Sequence, residues 1–173
     1  MMKAIVSLIA VFSLTSFLAN AADPLPSADQ LISAAEKQAA AGNKAIFVHC
    51  GASWCGWCKR LDAFLEKPAI KPVFEKYFVP IKLVVSEKDK TMENPGAEEW
   101  LKKMGGPSGL PYSAFLNAKG EVIVNSKRDG NNIGYPAEPA EIDWFIHMMK
   151  QAAPNMAPDD LKTIETALRS FKH

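Results

Sequence analysis

Apolar positions along this chain switch between helical and strand periods, and the switches mark the elements. After Ser27, Leu31, Ile32, Ala35 and Ala39 recur at helical spacing, which predicts a helix over Ala28–Ala41, capped by Ser27 and stopped at Gly42. Lys44 to His49 reads as a short buried strand. Cys55 to about Lys67 reads as a helix interrupted near Pro68, and a further helical piece from Ala69 to Tyr77 is delayed by Pro72. Phe78 to Val85 is β-rich and predicts a second strand, entered around Pro80. The charged stretch Ser86 to Glu93 is a loop, after which Asn94 as cap and Pro95 at the first helical position launch a helix over Gly96–Met104.

Gly105 to Gly109 is a flexible connector. Tyr112–Leu116 and Glu121–Asn125 flank Asn117-Ala118-Lys119-Gly120, a hairpin with a four-residue turn. Lys127 to Ala137 is polar and turn-rich. Two striped helices close the chain: Pro139–Ala152 with Ile142, Phe145, Ile146 and Met149, and Pro158–Phe171 with Leu161, Ile164, Leu168 and Phe171. Strands joined through helices imply parallel crossovers, and the hairpin adds an antiparallel pair. The expected class is α/β, a central mixed sheet with helices on both faces. The last helix is an addition that caps the domain, packs on the Ala28–Ala41 helix or makes a dimer.

Composition narrows this picture only slightly. The chain has 173 residues, 48% of them hydrophobic, and a net charge of +1, which fits one globular domain with a real core. Such a balance gives no electrostatic footprint for nucleic acid or an anionic membrane. The N-terminus stands apart: Met1-Met2-Lys3 precedes an apolar run from Ala4 to Leu14, and Ala19-Asn20-Ala21 is a small-residue exit. That layout is a secretory signal peptide over residues 1–21, cut after Ala21. The apolar run is shorter than the ~20 residues of a spanning helix. No cysteine lies near the cut, so no lipoprotein attachment site is predicted. The mature domain, 22–173, with a core over 44–152 and a helical extension over 153–173, is expected in the periplasm or secreted, with no stable membrane insertion.

Export changes the reading of Cys50, Cys55 and Cys58. Structural staples mostly close long loops, whereas a C-x-x-C ring constrains almost nothing, so Trp54-Cys55-Gly56-Trp57-Cys58-Lys59 points to redox chemistry. A first cysteine on a helix N-terminus has its thiolate stabilised by the macrodipole and by free N–H groups. Lys59 adds positive charge in the first turn, and Arg60 is read as solvated helix surface.

Three segments together resemble the thioredoxin superfamily, in particular secreted bacterial thioredoxin-like thiol–disulfide oxidoreductases. They are Ala52-Ser53-Trp54-Cys55-Gly56-Trp57-Cys58-Lys59, Asn94-Pro95-Gly96 and Gly109-Leu110-Pro111, and the resemblance spans about Lys44 to Ala152. It implies Cys55 as exposed nucleophile, Cys58 as buried resolving thiol, and a cis Leu110–Pro111 bond that brings the Leu110 backbone beside the sulfurs to pair with an extended substrate. Trp54 and Trp57 would flank the site as substrate-binding surface, although a core-edge aromatic fits Trp54 nearly as well. Protein thiols and disulfides would be the substrates, and a redox partner would recycle the pair. No bound cofactor is implied, because the electrons reside in the cysteines.

The departures are as informative. His49 stands where the family often has a buried acid; it fits either proton transfer or a hydrogen-bonded strand histidine, and it puts the family's pairing to Lys82 in question. Cys50 reads as a small buried hydrophobe. Ala63 replaces the family's helix-kinking proline, so the helix is expected to end early, near Pro68. A metal site built from His49, Cys50, Cys55 and Cys58 is disfavoured because adjacent strand residues face opposite ways. His147, Met148 and Met149 read as helix packing. The rival to catalysis is a non-catalytic binding module on the same fold.

Overall fold

The computed structural model describes residues 25–106 and 109–170. The predicted signal segment, the middle of the connector and Phe171 lie outside the described residues. The order is α1 (Ala28–Gly42), β1 (Ala45–Gly51), α2 (Gly56–Leu65), α3 (Lys71–Tyr77), β2 (Phe78–Val84), α4 (Ala97–Lys103), β3 (Tyr112–Leu116), β4 (Val122–Asn125), β5 (Lys127–Arg128), β6 (Asn131–Asn132), α5 (Pro139–Ala152) and α6 (Pro158–Arg169). A 3-10 turn, Lys90–Met92, interrupts the charged loop.

All seven residues of β1 are buried, because both faces of the strand are covered. Ile46, Val48 and Cys50 join one core with α1 and α4. Alternation sends Phe47 into the other core, with residues of α2, α3, α5 and α6. There the Phe47 ring meets Phe74, Phe115 and Phe145 at centroid distances of 5.2, 4.9 and 6.0 Å. Each such side chain, once buried, contributes about 1.5–3 kcal/mol.

The sheet order is β2-β1-β3-β4, with β1 and β2 parallel and the other pairs antiparallel. The mixed sheet is therefore as expected, but only the first crossover is parallel. β3 runs against both β1 and β2, so the connection through α4 re-enters the sheet at the end it left.

Three local expectations need correction. Asn43, left-handed at φ 49°, ends α1 one residue beyond Gly42, because an amide side chain tolerates that conformation. Leu31 is only half-buried, while Ala28 joins the buried stripe. Asn94 does not cap α4: Gly96, at φ 81°, occupies that position. Buried Asn94 instead accepts the Val84 N–H at 2.7 Å and donates to the Pro26 carbonyl at 2.9 Å, tying the approach to α1 onto the end of β2.

Of the places open to the last helix, α6 caps the domain by packing on α5 and α3 and not on α1. Ile164 and Leu168 enter the α5 side of the core, and Asp160 accepts from Lys76 at 2.7 Å and from Tyr77 Oη at 2.6 Å. The polar stretch after β4 also contains more order than its composition suggested, since β5 and β6 form a small antiparallel hairpin.

Removing the buried Asn94 bridge by Asn94→Ala is expected to lower the unfolding free energy by about 1–3 kcal/mol, because the Val84 N–H loses its partner. Urea denaturation checks this.

Candidate active site around Cys55 and Cys58

β1 delivers the chain to Gly51, and a tight turn returns it into α2 with Cys55 as N-cap. The turn is closed by Cys55 N–H donating to the Ala52 carbonyl at 3.1 Å, and the Val85 N–H donates to the Gly51 carbonyl at 3.0 Å. Cys55 and Cys58 are joined as a disulfide with Cα atoms 5.3 Å apart, and Cys55 Sγ accepts the Cys58 N–H at 3.1 Å. The sulfur thus receives one of the N–H groups that a helix start leaves unpaired.

The pair is less open than the resemblance implied. Cys58 is fully buried, but Cys55 is only 5% exposed, covered from the sides by its neighbours and with Ala52 and Leu110 packed against the pair. The exposed surface belongs to the tryptophans. Trp54 is 60% exposed, not a core-edge aromatic, and its indole N–H donates to the Ser86 carbonyl at 2.9 Å. Trp57, 46% exposed, stacks on Tyr135 at 5.9 Å. The Arg60 guanidinium lies 4.7 Å from the Trp57 ring centroid, so Arg60 is a ring contact and not merely solvated helix surface.

Across the disulfide, Leu110–Pro111 is a cis peptide bond. Leu110 and Trp57 share a groove of about 450 Å³ with Ile133, Tyr135 and Glu138. The charged loop grips the active-site turn from the other side: Ser53 donates its backbone N–H and its hydroxyl to the two oxygens of buried Glu87, and Glu87 N–H donates to Glu93 at 2.7 Å.

Behind Cys58 lies a charged cluster that sequence reading only half found. His49 and Lys82 are register partners on β1 and β2. Both reach one carboxylate, Asp62 on α2: His49 Nε2 at 2.8 Å from Oδ1, and Lys82 Nζ at 2.6 Å from Oδ2. The acid has therefore moved from the strand to the helix, and the lysine pairs with it there. Asp62 Oδ1 can only accept, so Nε2 carries the proton, and in neutral imidazole Nδ1 is the basic nitrogen. Nδ1 is buried and has no hydrogen-bond partner among the described residues.

The cluster adjoins the redox pair. A Cβ on Gly51 would stand 3.2 Å from Cys58 Sγ and 3.8 Å from Lys82 Cε. Asp62 lies four residues beyond Cys58, one helical turn along α2, and that spacing is the signal that could have identified it. Glu87 and Tyr135 left no comparable mark in the sequence.

Burial opposes ionisation of Asp62, but hydrogen bonds and charge from His49 and Lys82 outweigh it and hold the carboxyl below its ordinary range. Burial, reinforced by the Glu98 carboxylate, pushes the Cys50 thiol up to about 12. Cys50 points into the α1–α4 core, away from His49. Among the described residues no group of three or more His, Cys, Asp or Glu side chains is placed to hold a metal ion. Nor is any helix there long and apolar enough to cross a membrane.

The sequence profile described as thioredoxin-like matches residues 28–118, and the chain belongs to that family. No curated protein matches it by sequence. Among solved structures, it is similar to a disulphide isomerase from Xylella fastidiosa Temecula1, with 20% identity, a TM-score of 0.52, and 90% of this chain and 96% of that one covered. Looser likenesses are to a thioredoxin from Thermus thermophilus (16% identity, TM-score 0.47, 75% and 90% covered) and to a DsbH oxidoreductase (18%, 0.46, 67% and 79%). The Xylella likeness supports the fold, and the other two add nothing to it. With its closed C-x-x-C pair on a thioredoxin-like fold, this is a thiol–disulfide oxidoreductase.

Two outcomes follow from the electrostatics. A depressed Asp62 favours the folded state above about pH 4, and that contribution is lost as pH falls through its folded value. Asp62→Asn is therefore expected to cost about 1–3 kcal/mol at pH 7, with the gap to wild type shrinking in acid, as urea denaturation at the two pH values would read. Native Cys50 should resist iodoacetamide at pH 8 and become alkylated only on unfolding, which mass spectrometry detects.

Proposed function

We propose that this is an exported oxidoreductase that exchanges disulfides with protein substrates through Cys55 and Cys58. The observation that carries the reading is the redox pair at the start of α2, with Cys55 Sγ at the N-cap and exposed Trp54 and Trp57 on either side. In the reducing direction the Cys55 thiolate attacks a substrate disulfide. A Cys55–substrate bond forms, and the second substrate sulfur leaves as a thiolate that takes up a proton. Cys58 then loses its proton and attacks Cys55 Sγ, which releases the remaining substrate thiolate and closes the Cys55–Cys58 bond. Two electrons pass from the pair to the substrate. The oxidising direction runs the same steps backwards, and a redox partner restores the pair.

The Cys58 proton has a destination nearby. Lys82 Nζ is held by Asp62, and His49 offers Nδ1 as acceptor while Asp62 steadies its other nitrogen. His49, Asp62 and Lys82 line a pocket of about 270 Å³, so the cluster borders an opening to the surface. Leu110, Pro111, Trp54 and Trp57 bind the polypeptide around its disulfide, with the groove between Trp57 and Leu110 taking a neighbouring side chain. Residues 1–21 direct export, and the mature chain works in the periplasm or outside the cell.

Insulin reduction with dithiothreitol is expected to accelerate with wild type and not with Cys55→Ser; equal rates would support the non-catalytic module instead. In the reduced protein, alkylation of Cys55 should titrate below the ~8.5 of free cysteine. Cys58→Ser should accumulate mixed disulfides with envelope proteins in the native host.

A further inference from the structure

The hairpin β5–β6 follows the last strand of the sheet, yet one of its side chains reaches back to the loop that faces the disulfide. Asn132 Nδ2 donates to the Gly109 carbonyl and to the Pro111 carbonyl, both at 3.0 Å. Its Oδ1 accepts the Ser126 hydroxyl at 2.6 Å and the Gly134 N–H at 3.2 Å. A primary amide has two N–H bonds and two carbonyl lone pairs, and here all four are used. The orientation of the amide is fixed by its partners as well. Ser126 Oγ accepts the Ser113 N–H at 3.0 Å and so turns its own hydrogen toward Asn132, which must present oxygen there and nitrogen to the loop.

Ser126 is itself anchored, with its N–H on the Ser113 carbonyl at 2.8 Å and its carbonyl on the Ile133 N–H at 2.9 Å. A polar chain therefore runs from the start of β3 through Ser126 and Asn132 to the two carbonyls that bracket Leu110. None of these bonds uses the Leu110 N–H or carbonyl. The brace holds the loop on both sides of one residue and leaves that residue's backbone for another chain to pair with.

We propose that Asn132 is the positioning residue that presents the Leu110 backbone edge to polypeptide disulfides, and so favours protein substrates over small disulfides. The proposal rests on the exchange activity proposed above. Pairing an extended chain with a short edge demands a fixed spacing between donor and acceptor, and misplacement by about 1 Å can cost on the order of 100-fold. A small disulfide needs only access to Cys55 and gains nothing from the edge.

The test compares wild type with Asn132→Ala and the isosteric Asn132→Asp, which replaces both donors with an acceptor facing two carbonyls. Exposed Asn131→Ala on the same hairpin is the control. Insulin and Ellman's reagent serve as the polypeptide and small disulfides, and backbone NMR order parameters are measured for residues 109–112. Both Asn132 variants are expected to lose at least tenfold in kcat/KM on insulin, mainly through KM. On Ellman's reagent they should stay within twofold of wild type, with the Cys55 alkylation profile unchanged and the order parameters of the loop reduced. Asn131→Ala should match wild type throughout. Equal losses on both disulfides, or wild-type insulin kinetics in the Asn132 variants, overturn the proposal, as does a loop that stays equally ordered without the amide. Should wild type turn over neither disulfide, the exchange activity itself fails, and the order parameters alone decide whether Asn132 braces the loop.

Discussion

The close approach of α2 to the end of β1 is the constraint on which the site depends. Gly51 has no side chain, so Cys58 can lie against the strand where a Cβ would come within 3.1 Å of its own Cβ. That contact sets the depth at which α2 begins, and with it which sulfur is wholly enclosed and which reaches the edge of the surface. It also brings Asp62, one turn further along, over the β1–β2 pair, where His49 and Lys82 meet it. The redox pair and its charged cluster are consequences of one helix seated on one strand end.

Everything else at the site is bracing supplied by loops. Glu87 holds the Ser53 backbone and hydroxyl, the Ser86 carbonyl orients Trp54, and Asn132 fixes the carbonyls on either side of Leu110. These partners come from two separate segments, the charged loop after β2 and the β5–β6 hairpin, and each meets a backbone group of the active-site loops or the rim of a tryptophan. A site on loops reaches the precision of one on rigid elements only when it is supported in this way.

How much of this was legible in the sequence depended on whether a residue's role was local. The four strands of the main sheet and the striped helices α1, α5 and α6 were visible because burial imposes an apolar run or a period, and the C-x-x-C at a helix start was visible because its four residues carry their own geometry. The direction of β3 was less so, since pairing between strands far apart in the chain leaves no local period. Asn94-Pro95 spelled a helix start, but burial beside β2 recruited the amide as a bridge. The place of α6 against α3 and α5 rests on Asp160, Lys76 and Tyr77, far apart in the chain. Asp62 stands at a helical interval from Cys58, but its partners His49 and Lys82 come from two other elements, so its role is not local.

The third thiol shows what a sheet can do for redox fidelity. Three cysteines within nine residues offer more than one way of pairing. Cys50 sits one residue before the glycine that touches Cys58, but the pleat turns its sulfur into the opposite layer of the molecule. The backbone of β1 thus works as insulation between two adjacent sulfur compartments. An electron pair arriving at this chain has a single circuit to enter, and a dead-end bridge would require the central strand to come apart first.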